Sequence, residues 1–138
     1  MTRKSPSLSP AEIEERLEEA ALTLRRLPDP PGSGPRGYGR SWPEYVRDPR
    51  HAYGYGDARV RGVPNAVEIQ RMEAALEWLS LIEHPDQSVA AIDRKIVWMR
   101  AAGYRWRPIC VMAGCVRSTA WRRWAAALVT ISRRLERR

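Results

Sequence analysis

Apolar residues recur at three-to-four spacing through most of this chain, the period of helices that bury one face. The first such stripe is Ile13, Leu17, Ala20, Ala21, Leu24 and Leu27. Ser9-Pro10-Ala11-Glu12 opens it, with Ser9 as cap, Pro10 at the first helical position and Glu12 placed to close a capping box. Acids crowd the first turns and Arg25 and Arg26 the last, which complements the helix dipole, and Pro28 ends the helix. A second helix is predicted from an Asn65 cap, with Glu68 at the matching third position. Its buried face is Ile69, Met72, Leu76, Leu79 and Ile82, Trp78 lies beside that stripe, and His84-Pro85-Asp86 breaks it. A third helix is expected to start at Ser88 and run through Ala102, burying Val89, Ile92, Ile96 and Met99, with Gly103 as its stop. Two more follow over 107–113 and 117–136. The longer stripe of Trp124, Ala127, Leu128, Ile131 and Leu135 extends the last one. No strand pattern and no internal repeat is found. The predicted fold is all-α, a helical protein with a C-terminal trihelical helix-turn-helix unit.

The expected organisation is a disordered start over 1–8, an N-terminal helical region over 9–87 and a helix-turn-helix unit with a basic tail over 88–138. Residues 28–64 interrupt the N-terminal region as a Pro/Gly-rich loop, where PDPPGSGPRGYGR breaks any regular structure. Within that loop, Ser41-Trp42-Pro43 is placed to start a short helix. Trp42, Tyr45, Tyr53 and Tyr55 are expected to pin the segment onto the body, with a stacking surface as the sharper alternative.

Composition sharpens this picture through charge. The 138 residues carry a net charge of +8. Residues 93–138 hold twelve Lys/Arg against only Asp93 and Glu136, a net +10, whereas 1–92 net −2. The positive charge is thus segregated onto the segment with the turn-flanked helices, which points to an anionic partner. Cys110 and Cys115 have neither zinc nor redox spacing and are expected to be reduced thiols in a core. The start MTRKSPSLSP lacks the apolar core of a signal peptide, and no apolar run is long enough to span a bilayer. A cytoplasmic protein without membrane contact is expected.

The decisive stretch is GYRWRPICVMAGCVRSTAWRRW, residues 103–124. Ile109, Cys110, Ala113, Cys115, Ala120 and Trp124 are spaced to lock two helices at a steep angle. Gly114 supplies the residue tolerant of positive φ that the turn needs, and the small Ala113 lets the helices cross closely. Trp106 is placed to pack the near side. Val116 stands where such motifs often carry Ser or Thr as the cap, so Ser118 or Thr119 is a candidate cap for a later start. Arg117, Ser118, Thr119, Arg122 and Arg123 then project outward, as a helix reading a DNA major groove requires. Arg117, Ser118, Thr119 and Arg122 are the candidates for base or phosphate contact, with Arg123 to the side for a phosphate. Arg105 and Arg107 flank the helix that lies over the DNA backbone. Arg133, Arg134, Arg137 and Arg138 are either a phosphate clamp or a solubilising end. The competing reading is an ordinary helical hairpin with solvated arginines.

Catalysis finds no support: His51 and His84 sit in loops without partners at metal or triad spacing, and no phosphate-cradling Gly loop follows a strand. No enzyme, cofactor or metal is expected.

AALTLRRLP, SWPEYVRD, HAYGYGDARVR, MEAALEWL and WRPICVMAGCVRSTAWRRWAAAL together resemble an uncharacterised family, a domain of unknown function found mainly in phages and prophages, with a helix-turn-helix end. The C-terminal unit is also similar to sigma-factor region four and to small terminase subunits. Unlike the latter, it is C-terminal, and no promoter-melting region accompanies it. The leading expectation is a DNA-binding helix-turn-helix protein of phage or prophage origin, acting on double-stranded DNA as a homo-oligomeric transcriptional regulator. The alternative is a small terminase subunit or DNA-packaging adaptor. The resemblances further imply contact with a large terminase or an RNA polymerase, the latter also as a pure protein-interaction module.

Overall fold

The computed structural model describes residues 7–28 and 62–138, and the expectations for the 29–61 segment, its aromatics included, lie outside the described residues. The described residues form helices only: α1 (Pro10–Arg26), α2 (Ala66–Trp78) followed by a 3-10 turn (Leu79–Leu81), α3 (Gln87–Ala101), α4 (Trp106–Ala113) and α5 (Arg117–Glu136). The chain is all-α. Among the described residues no helix is long and apolar enough to cross a membrane.

Local chemistry sets where the first three helices begin. The capping box of α1 is complete: the Glu12 N–H donates to Ser9 Oγ at 3.2 Å and the Ser9 N–H to Glu12 Oε2 at 2.8 Å. The Glu68 N–H donates to Asn65 Oδ1 at 2.9 Å, capping α2. Helix α3 starts one residue before the expected Ser88. Asp86 is its cap and accepts both the backbone N–H of Ser88, at 2.9 Å, and its hydroxyl, at 2.6 Å. The carboxylate wins because it accepts from both groups at once, leaving Ser88 as donor rather than cap. Those bonds, the hydroxyl's first, hold the Asp86 carboxyl below its ordinary value.

The main core gathers Ile13, Leu17, Ala20 and Ala21 of α1 with Met72 and Ala75 of α2, Val97 and Trp98 of α3, and Ala127, Leu128 and Ile131 of α5. It therefore runs across residue 88, and the N-terminal and C-terminal regions share it. Leu8, in the start expected to be frayed, packs against this core, and its carbonyl accepts from Ser132 Oγ at 2.6 Å. A second, smaller core of Ile96, Ile109 and Ala120 lies beneath the α4–α5 turn. Helix α3 is shared between the two: Ile96 serves the small core, while Val97 and Trp98 serve the large one. This double burial explains why α3 hides Val97 and Trp98 as well as the expected Ile96.

Polar side chains inside the large core reach backbone carbonyls. Thr23 Oγ1 donates to the Glu19 carbonyl at 2.9 Å. Arg25, expected only to complement the dipole of α1, is buried and its Nη2 donates to the Ala102 carbonyl at the C-terminal end of α3. A cation there meets the negative end of the α3 dipole, and burial lowers its pKa from the ordinary arginine value. Arg26 pairs with Glu68 and donates from Nε to the Gly62 carbonyl at 2.9 Å.

Candidate nucleic-acid interface

Two glycines shape the corner on which the candidate residues stand. Gly103, at φ 94°, ends α3, and the Tyr104 N–H returns to the Met99 carbonyl at 3.0 Å. Gly114, at φ 67° and ψ 33°, ends α4 in the left-handed region, with its N–H bonded to the Cys110 carbonyl at 2.8 Å. Both reversals are tight, so the last turn of α3, the first turn of α4 and the first turn of α5 come together.

Where they meet is a cleft of about 520 Å³ lined by Arg100, Arg105, Trp106, Arg107, Cys110 and Arg117. The structure thus brings three of the sequence-predicted cations, Arg105, Arg107 and Arg117, onto one concavity and adds Arg100. No ion pair engages Arg105, Arg107, Arg117 or Arg122 among the described residues. Arg100 is held in place: its guanidinium sits 4.9 Å from the centroid of the Trp106 ring and its Nη1 donates to the Tyr104 carbonyl at 3.0 Å. Trp106 in turn meets Trp124 edge-on, with centroids 5.9 Å apart. On the far side Arg100 faces α1, where its charge pulls the Glu18 pKa down against the larger upward effects of burial and of Glu14.

Neither helix that opens onto the cleft has a side-chain cap. Arg105 precedes α4 and Val116 precedes α5, and no acid occupies either first turn. The α5 helix begins at Arg117, and neither Ser118 nor Thr119 caps a later start, because Val116 takes the extended backbone (φ −78°, ψ 162°) and its carbonyl accepts the Ala120 N–H at 3.0 Å. The amides of Trp106 and Arg107 in α4 (Pro108 has none) and of Arg117, Ser118 and Thr119 in α5 therefore have no side-chain cap at the positive end of the helix dipole, next to guanidinium groups. Such an end favours an anion.

Beyond the cleft, Ser118 and Arg122 are exposed on α5 and Thr119 is half-buried. Arg123 is placed differently: its Nε bonds Asp93 Oδ1 of α3 at 2.6 Å, with both side chains largely covered. It ties α5 to α3 instead of projecting with the others. Cys110 and Cys115 are free and half-buried against the small core, with Cys110 also forming part of the cleft wall. Arg134 pairs with Glu83 at 3.0 Å, so the basic end is partly tied to the body. Two residues of this surface escaped the sequence reading. Arg100 enters only because the Gly103 reversal folds α4 back beside it. Trp121 is exposed between Ser118 and Arg122, and its place outside the apolar stripe of Ala120, Trp124 and Ala127 was the available signal. Among the described residues no group of His, Cys, Asp and Glu side chains is arranged to hold a metal ion.

No curated protein and no solved structure matches the chain. A family model, the domain of unknown function DUF6362, matches residues 25–131, from the end of α1 to within the last turns of α5. The match takes in most of the chain, the cleft and the exposed first half of α5 included, and the chain belongs to the DUF6362 family.

Proposed function

We propose that this protein binds double-stranded DNA through its α3–α4–α5 corner as a sequence-recognising transcriptional regulator of phage or prophage origin. The observation that carries this reading is the convergence of Arg100, Arg105, Arg107 and Arg117 on one cleft beside the exposed face of α5. Among the described residues Arg105, Arg107 and Arg117 meet no acid and Arg100 feels only the charge of Glu18 on α1, so the four guanidinium groups repel one another, and a phosphate backbone relieves that repulsion. The first half of α5 enters the major groove, where Arg122 and Ser118 face base edges. Arg105, Arg107 and Arg117 contact phosphates and fix the register, helped by the uncapped amides of α4 and α5. Arg123, held by Asp93, sets the angle of α5 and makes no DNA contact. A dimer presents two such helices ~34 Å apart, one duplex turn.

A binding titration with random and selected duplexes at several salt concentrations tests this. With four or five phosphates neutralised, the slope of log K against log salt is roughly −4. Arg107→Ala weakens all sequences alike and flattens the slope by about one unit. Arg122→Ala costs ~1–3 kcal/mol on the preferred site and relaxes selection at one base pair. Micromolar protein that retards no duplex at low salt sinks the proposal. A ring-shaped assembly in a mass measurement replaces the regulator with a packaging protein.

A further inference from the structure

Trp121 is the exposed member of the described tryptophans, with 52% of its surface open, while Trp98 is buried and Trp78, Trp106 and Trp124 are half-buried. It lies one turn beyond Arg117 and Ser118 on α5 and adjoins Arg122, so a large apolar ring stands within a cationic, polar face. The ring is not loose. It leans on Trp124 with centroids 6.3 Å apart and planes tilted by 50°, and Trp124 is itself fixed edge-on by Trp106. Val116, 67% exposed at the start of the same helix, adds a second apolar side chain to this end of α5. The core therefore holds an indole in a set attitude and leaves it uncovered.

On the floor of the major groove, bases offer hydrogen-bond donors, acceptors and one apolar group, the C5-methyl of thymine. We propose that Trp121 is a specificity-determining residue that packs against thymine C5-methyl groups. The proposal rests on the DNA-reading role of α5. The indole also carries one N–H donor, and thymine places its O4 acceptor beside the methyl, so one side chain suits both features of the same base. Arginines alone favour guanine edges; an aromatic among them shifts part of the recognised site towards A·T pairs.

The test begins with a duplex selected from a random library by the full chain. Each thymidine is then replaced singly by deoxyuridine, which removes the methyl and leaves every hydrogen-bonding group. The expected result is about a fourfold loss at one or two thymidines, the effect of one methyl-sized group returned to water. Trp121→Ala is then indifferent to deoxyuridine at those positions and keeps the wild-type salt slope, while Trp121→Phe, which preserves an aromatic against Trp124, retains part of the discrimination. Wild-type protein that binds the selected duplex tightly yet ignores deoxyuridine everywhere overturns the proposal without any variant. So does a Trp121→Ala loss that is equal on all duplexes, or one confined to single strands, which assigns the ring to stacking on unpaired bases. Failure to bind any duplex is a separate outcome and removes the DNA reading itself.

Discussion

The body of α1 and α2 and the corner of α3, α4 and α5 solve opposite problems with the same residue types. In the body, Arg16 excepted, the described arginines meet acids or carbonyls: Arg26 with Glu68, Arg71 with Glu19 at 3.1 Å, Arg25 with the Ala102 carbonyl. In the corner, Arg105, Arg107, Arg117 and Arg122 meet no acid among the described residues, while Arg123 pairs with Asp93 and Arg134 with Glu83. Side-chain caps divide the chain after α3. Ser9, Asn65 and Asp86 close α1, α2 and α3, whereas α4 and α5 begin uncapped. Omitting caps and counter-charges costs stability, at ~1 kcal/mol for a cap. The omission is concentrated where cations and amides converge, which supports the proposal of an anionic partner at this surface.

The comparison breaks if the two regions are energetically separate. Leu17→Ala in the large core is expected to cost ~2–5 kcal/mol, and Ile109→Ala beneath the turn a similar or smaller amount. Because α3 and α5 contribute to the large core, each variant should shift one common denaturant transition. Two resolved transitions in Ile109→Ala would show a corner that unfolds alone. Next in size is the turn. Nothing lies within 4 Å of a Cβ built on Gly114, so replacement there is opposed by its φ of 67° and not by crowding. Gly114→Ala should cost about 1–2 kcal/mol, and Gly114→Asn clearly less, as read by thermal melts. Equal losses for the two would point to contacts instead of backbone preference.

The smallest effect concerns pH. Hydrogen bonds from Ser88 hold Asp86 below its ordinary 3.8, so the folded state releases this proton more readily than the unfolded one. Its contribution is therefore complete above pH 3.8 and disappears as pH falls through the lower folded value. The melting difference between wild type and Asp86→Ala should persist at neutral pH and shrink in strong acid. A difference that grows on acidification would contradict this assignment.

What could be read from sequence was local. The Ser9–Glu12 box, the Asn65–Glu68 cap and the stops at Gly103 and Gly114 are decided by neighbours within one turn, and they stand as expected. The α3 start was placed one residue late because Asp86 and Ser88 both carry suitable oxygens and only geometry shows which accepts. Tertiary placement was out of reach. Periodicity gives a helix one buried face, so it missed the second buried face of α3, which arises from its position between two cores. The burial of Arg25, the pairing of Arg123 with Asp93 and the entry of Arg100 into the cleft likewise depend on which helix lies opposite. Of the candidate site, the cations were legible by type and spacing, and their convergence was not.

The central claim is that the corner is the binding surface and the body its support. Backbone amide spectra of the full chain, recorded while a short duplex is titrated in at low salt, address it residue by residue. The account predicts shifts concentrated at residues 100–107 and 114–125, with the indole signal of Trp121 among the largest and the α1–α2 body nearly unchanged. Shifts centred on α1 or α2, or spectra indifferent to saturating duplex, would contradict it.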